Sequence, residues 1–154
     1  QGKRILKQAS FASAMLLACS IPFYAADRST QHPSWDNYTP EKLSALRTKG
    51  EPVLVNLTAD WCLTCLANEK IALDTDEVNT AIALSGVHTL KGDWTNYNAE
   101  ITQLLNQYGR NGVPLYLLFP AKKNAPPEIL PQLLTQDLVL KAISRATNTQ
   151  TASF

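Results

Sequence analysis

The sequence predicts a single α/β domain in which helices flank a central mixed β-sheet. Three observations carry that prediction. Apolar, β-rich runs of strand length at residues 53–57, 87–94 and 115–119 alternate with segments of helical periodicity. Gly50, Pro52, Gly86, Gly109 and Gly112 punctuate the boundaries between them. The 154 residues, 45% of them apolar, suffice for one hydrophobic core and leave little for a second.

At the start of the chain, Lys3, Arg4 and Lys7 precede an apolar stretch over residues 11–26 that Ser13, Ser20 and Pro22 interrupt. It is shorter than the ~20 residues that span a bilayer. Three readings fit it: the end of a transmembrane helix with a cytoplasmic basic flank, a signal peptide with small residues at Ala25-Ala26, or a lipoprotein signal with Cys19 as the lipidated residue. Each of them exports the folded domain. Residues 27–38 are polar and aperiodic and read as a linker, residues 39–148 as the folded domain, and 149–154 as a tail.

Within the domain, Thr39-Pro40-Glu41 supplies an N-cap, a proline at the first helical position and an acidic first turn, and Gly50 with Pro52 ends that helix. Residues 53–57 form a strand buried on both faces. A helix runs from Cys62 to about Leu73, and Asp74 with Glu77 resembles a capping pattern for a further helix through Leu84. A second strand covers 87–94. Ile101, Leu104, Leu105 and Tyr108 then recur at helical spacing up to Gly109. Leu115–Phe119 is a third strand, residues 128–134 a short edge strand, and Thr135 caps a last helix whose Val139, Ala142, Ile143 and Ala146 face the core.

The chemistry lies in Trp61-Cys62-Leu63-Thr64-Cys65, directly after the first core strand and at the start of a helix. Open α/β sheets usually place their sites at such a strand end. A C-x-x-C pair there can cycle between dithiol and disulfide. Orphan N–H groups and the positive dipole end favour thiolate at the first cysteine, bringing a thiol pKa from about 8.5 into the range ~3.5 to 7.5. Cys62 is thus the nucleophile and Cys65, one turn deeper, the resolving thiol. Glu69, four residues after Cys65, shares a helical face with Leu66 and Leu73 and points inward. Buried there, it would have a raised pKa and could exchange a proton with Cys65; the alternative is that it pairs with a lysine at the domain edge. Trp61 reads as a packing platform beside the sulfurs, and Asp60 as a surface loop residue. Pro114 opens a strand after Gly112-Val113, either as a cis proline presenting the Val113 backbone to an extended substrate or as a trans proline capping the strand.

Other functions fit less well. A formal charge of +1, with no basic cluster carrying interleaved aromatics, argues against nucleic-acid binding. Three cysteines are too few for a disulfide framework. A zinc site needs a second ligand pair, and His32 and His88 are isolated, so no metal site is assigned. Cu(I) binding by the two thiolates is the rival from another functional class. The sequence has no Ser-His-Asp order, phosphate loop or paired-carboxylate motif.

Thr58-Ala59-Asp60-Trp61-Cys62-Leu63-Thr64-Cys65, followed by Asn68-Glu69-Lys70 and by Gly112-Val113-Pro114, resembles the C-terminal thioredoxin-like domain of the DsbD family, the membrane thiol:disulfide interchange or cytochrome c biogenesis proteins. The resemblance covers about residues 39–146, and Gly92-Asp93-Trp94-Thr95-Asn96 is similar to the copper-sensitivity-suppressor branch. It implies a thioredoxin-like fold at the periplasmic face of the bacterial inner membrane, tethered behind a transmembrane helix. It implies no cofactor beyond the redox-active Cys62-Cys65 pair. The implied partners are a membrane electron-conducting domain, in the same or a partner chain, and periplasmic thiol-disulfide proteins. Cys62 and Cys65 match the family's redox pair, Glu69 its acidic residue near the active site and Pro114 its cis proline, so that Cys62, Cys65 and Glu69 are the expected catalytic residues. Trp61, Val113 and Pro114 are the expected substrate-binding residues. Two departures stand out: Asn56 replaces an aspartate common in the family, and Leu66 stands where many relatives have lysine.

Overall fold

Val53-Leu54-Val55-Asn56-Leu57 is apolar at every position but one, which suits a strand covered on both sides, and it lies at the centre of the sheet. The structure is a computed structural model that describes residues 34–148. The sheet has five strands: β1 (Asp36–Asn37), β2 (Val53–Thr58), β3 (His88–Asp93), β4 (Leu115–Phe119) and β5 (Glu128–Leu130), in the order β1-β3-β2-β4-β5. β1 and β2 run parallel to β3, whereas β4 is antiparallel to β2 and to β5. The sheet is mixed, and every residue of β2 and β4 is buried.

Five helical segments cover it: α1 (Pro40–Lys49), α2 (Leu63–Asn68), continued by a π-turn (Glu69–Leu73), α3 (Asp76–Ser85), α4 (Ala99–Gln107) and α5 (Gln136–Asn148). On one face Leu54, Tyr116 and Leu118 pack against Ala72 and Leu73, Val78 and Ile82 of α3, and Val139, Ala142 and Ile143 of α5. On the other, Val55, Leu57, Leu90, Leu117 and Phe119 meet Leu43 of α1 and Ile101, Leu104 and Leu105 of α4. Gly92 of β3 permits that second contact. A Cβ there would lie 2.6 Å from Leu57 Cδ2 and 3.2 Å from Ile101 Cδ1, so with a side chain at this position the tips of Leu57 and Ile101 would have to repack.

The expected helix and strand order holds, with four local differences. Thr75, not Asp74, caps α3: its Oγ1 accepts the Val78 N–H at 3.4 Å, while the Asp74 N–H donates to Glu69 O at 2.7 Å and closes the π-turn. The last strand stops at Leu130, before Pro131. β1 lies in the stretch read as a linker and pairs with β3. The buried stripe of α2 and the π-turn is Cys65, Asn68, Ala72 and Leu73, with Glu69 beside it, and Leu66 falls outside it, 46% exposed. The apolar stretch at 11–26, Cys19, His32 and the tail lie outside the described residues. No described helix is long and apolar enough to cross a membrane.

Candidate active site

β2 ends at Thr58 and delivers the chain into a turn that starts α2, which places Cys62 at the N-cap and Cys65 one turn inside. The two are joined as a disulfide, with Cα atoms 5.2 Å apart. Cys62 Sγ accepts the Cys65 N–H at 3.2 Å, so the sulfur occupies the position that an N-cap oxygen usually fills. Cys62 is 7% exposed and Cys65 is fully buried. Among the described residues both cysteines pack with Ala59 and against Val113. The Val113-Pro114 peptide is cis, the first of the two alternatives for Pro114, and Pro114 is buried at the start of β4.

Glu69 lies on the inner side of α2 with both carboxylate oxygens engaged. Its side chain is 16% exposed and turns inward, and it also pairs with a lysine: Lys91 Nζ of β3 lies 2.9 Å from Oε2. Asn56 Nδ2 donates to the other oxygen, Oε1, at 3.0 Å. Asn56 is 1% exposed, and its Oδ1 is a buried atom without a hydrogen-bond partner. These three residues, with Trp35, Leu73 and Asp74, line a cleft of about 140 Å³. Asn68 lies deeper. Its Nδ2 donates to Tyr116 Oη at 3.0 Å and to Gln132 O at 2.6 Å, and its Oδ1 accepts the Leu134 N–H at 3.1 Å. Burial pushes the Tyr116 phenol up to about 12, with the Asn68 bond working against that rise.

On the outer side, Trp61 is 50% exposed, and its indole N–H donates to Thr95 O at 3.2 Å. Thr95 Oγ1 accepts the Asp60 N–H at 2.9 Å, and Asp93 Oδ1 accepts both the Thr95 N–H, at 2.8 Å, and the Thr95 hydroxyl, at 2.5 Å. These bonds from Thr95 hold the Asp93 carboxyl below its usual value. The Trp61 ring stacks on Tyr97 with centroids 6.1 Å apart and lies 6.0 Å from Trp94, whose own ring meets Tyr97 edge-on at 4.9 Å.

The structure thus brings Trp61, Cys62, Cys65, Val113 and Pro114 together at one end of the sheet and places Glu69 on the inner side of α2. Sequence reasoning missed Lys91, Asn68, Thr95 and Tyr97. A lysine inside the strand pattern at 87–94 was a usable signal for the first. Asn68 could have been found from the stripe Cys65, Asn68, Ala72. Thr95 and Tyr97 sit in a loop without periodicity, where only the fold reveals their neighbours. No group of three or more His, Cys, Asp or Glu that could hold a metal ion occurs among the described residues.

Residues 34–121 match the family described as thioredoxin-like. The chain is 35% identical over 78 residues to the thiol:disulfide interchange protein DsbD of Yersinia pestis (strain Pestoides F), a match covering 51% of this chain and 13% of that protein. It is 29% identical over 112 residues to the protein of the same name in Ralstonia nicotianae, covering 73% and 18% respectively. The chain therefore corresponds to less than a fifth of the length of these relatives. Among solved structures, the reduced C-terminal domain of Neisseria meningitidis DsbD superposes with a TM-score of 0.55 at 23% identity, covering 69% of this chain and 93% of that one. A thioredoxin from Thermus thermophilus superposes with a TM-score of 0.56 at 19% identity, covering 74% and 86%. At these identities the superpositions establish the fold.

Proposed function

The chain belongs to the thioredoxin-like family, and from that premise we propose that it is a protein-disulfide reductase domain working through the Cys62-Cys65 couple. The observation that carries this reading is the Cys62 sulfur at a helix N-cap, bonded to a fully buried partner cysteine three residues on. Its relatives named thiol:disulfide interchange protein support the same assignment.

In the reduced form, the N–H that now points at Cys62 Sγ would stabilise a thiolate there. That thiolate attacks a partner disulfide: a Cys62-partner S–S bond forms, the partner's own S–S bond breaks, and the departing sulfur takes a proton. Cys65 then gives its proton to Glu69 and attacks Cys62 Sγ. The Cys62–Cys65 bond closes and the partner's second sulfur leaves, to be protonated in turn. Two electrons pass to the partner; because Cys62 attacks as the thiolate, one of the two protons that the partner's sulfurs take originates on Cys65, by way of Glu69, and the other comes from solvent, and the oxidised domain is re-reduced by a donor dithiol. Asn56 and Lys91 are positioning residues that hold the two Glu69 oxygens. Trp61, Val113 and Pro114 form the rim on which a partner rests. The disulfide is itself the redox group, so the reaction requires no other cofactor or metal.

We assign the donor to a membrane electron-conducting domain in the same or a partner chain, and the acceptors to periplasmic thiol-disulfide proteins at the inner membrane. The likeness to DsbD proteins supports this placement. The test is a Cys65→Ser trap expressed in a cell envelope. Cys62 should accumulate as a mixed disulfide on its acceptors and, in the purified protein, alkylate rapidly near neutral pH. Absence of both would overturn the reductase reading. Cu(I) retention that survives Glu69→Gln, without any trapped protein, would favour the metal-handling alternative.

A further inference from the structure

We propose that Tyr97, together with Trp61, forms a docking ledge beside Cys62 for a partner segment whose reactive cysteine is flanked by uncharged, apolar side chains. The proposal rests on the reductase reading above and names what that site selects.

Tyr97 is an unusual residue for its place. Its backbone has φ of 56°, in the left-handed region that Gly, Asn and Asp occupy readily and a bulky aromatic residue occupies only under strain. Burial does not offset that strain, because Tyr97 is 65% exposed. Its backbone N–H is tied to Trp94 O at 3.0 Å, which fixes the turn and carries the ring onto Trp61. Both rings beneath it are anchored: the Trp94 indole N–H donates to Thr102 Oγ1 at 2.8 Å, and the Trp61 indole N–H to Thr95 O. The result is a rigid, half-exposed aromatic surface, the kind that gives contact area at low ordering cost.

Its position and charge indicate what it receives. Cys62 is only 7% exposed, so a partner sulfur can reach it only over the rim, and the residues beside that sulfur must lie on the rim side chains. Leu63, which follows Cys62 in the chain, is also apolar and 81% exposed, and α2 carries no charged side chain from Leu63 to Asn68. The nearby carboxylates are those of Asp60, on the surface, and Asp93, engaged by Thr95. A cysteine between leucines suits this surface, and one between glutamates would meet the field of these carboxylates with no cation on α2 to offset it.

The test uses the reduced protein and three probes: glutathione disulfide, the disulfide dimer of a five-residue peptide with leucines beside its cysteine, and the same dimer with glutamates there. The wild-type protein should reduce the leucine dimer about tenfold faster than the glutamate dimer. Tyr97→Asn, which suits the left-handed backbone and removes the ring, should cut that ratio severalfold by slowing the leucine dimer, without slowing glutathione disulfide or lowering the melting temperature. Tyr97→Phe should keep the ratio. The proposal is overturned if Tyr97→Asn retains the wild-type ratio, or if it slows all three probes equally, which would place the effect on Cys62 itself. A wild-type protein that reduces none of the three would overturn the reductase reading as well, whereas a failed ratio alone leaves that reading standing.

Discussion

Trp61 and Glu69 flank the same disulfide and are held in opposite ways. Trp61 is half exposed and hangs from a backbone carbonyl of the loop between β3 and α4. Glu69 is mostly enclosed, with one oxygen taken by Asn56 of β2 and the other by Lys91 of β3. Water can replace the hydrogen bonds of the outer flank when they break, so each contributes about 0.5–1.5 kcal/mol net. It cannot easily replace those of the inner flank, where a stranded polar group costs about 1–3 kcal/mol. The outer side can therefore exchange its bonds for those of water at little cost, while the inner side is held to one geometry.

The strongest test of this contrast is Asn68→Ala. Asn68 ties α2 to Tyr116 of β4 and to the Gln132 and Leu134 backbone, and removing it strands the buried Leu134 N–H and takes a donor from the buried Tyr116 Oη. A loss of about 3 kcal/mol is expected in urea unfolding. A loss below about 1 kcal/mol would mean that the inner flank is no stiffer than the outer one.

Asn56→Asp should act next most strongly, with an effect that depends on pH. The new carboxylate would stand about 3 Å from that of Glu69, with Lys91 the one cation bonded to Glu69, so the pair would retain a proton to a higher pH than a lone carboxylate. A group whose folded pKa is raised loses its contribution as pH rises through that value. The variant should accordingly be about 2 kcal/mol less stable than wild type at pH 8 and recover most of that by pH 5. Equal losses at both pH values would show that the neutral amide at Asn56 is not what lets Glu69 and Lys91 pair.

The two flanks differed in how far the sequence revealed them. The sulfurs and the helix they open follow from spacing alone, because Cys62-Leu63-Thr64-Cys65 begins where an apolar strand ends. Glu69 was visible as a charge at helical spacing from Cys65, but helical spacing grouped it with Leu66, which is exposed. The stripe that is buried, Cys65, Asn68, Ala72 and Leu73, carries a polar residue at its second position, and a hydrophobic pattern passes over such a stripe. Lys91 reaches Glu69 only because β3 lies beside β2 in the sheet, and that adjacency is a property of topology. Thr95 and Tyr97 are less legible still, since their roles depend on a loop folding back over Asp60 and Trp61.

The smallest effects belong to that loop. Thr95→Val removes the hydroxyl that accepts the Asp60 N–H and donates to Asp93, yet leaves the backbone carbonyl that holds Trp61. Both freed groups can turn to water, so stability should fall by less than about 1 kcal/mol, and Thr95→Ser should restore it. Acid should mimic the change in the wild-type protein. The Thr95 bonds lower the Asp93 carboxyl below its ordinary value of 3.8. A depressed folded pKa contributes stability above the unfolded value, and that contribution disappears as pH falls through the folded one. The bonds from Thr95 to Asp93 should therefore hold unchanged down to about pH 4 and weaken below it. The readout is the emission difference between the protein and its Trp61→Phe variant, which isolates Trp61 from the other tryptophans. That difference should stay constant from pH 7 to about 4 and then shift, whereas in Thr95→Val it should already be shifted at pH 7 and show no further step. A Thr95→Val cost as large as that of Asn68→Ala would erase the contrast between the flanks, because the bonds of the loop would then be as hard for water to replace as those of the inner side.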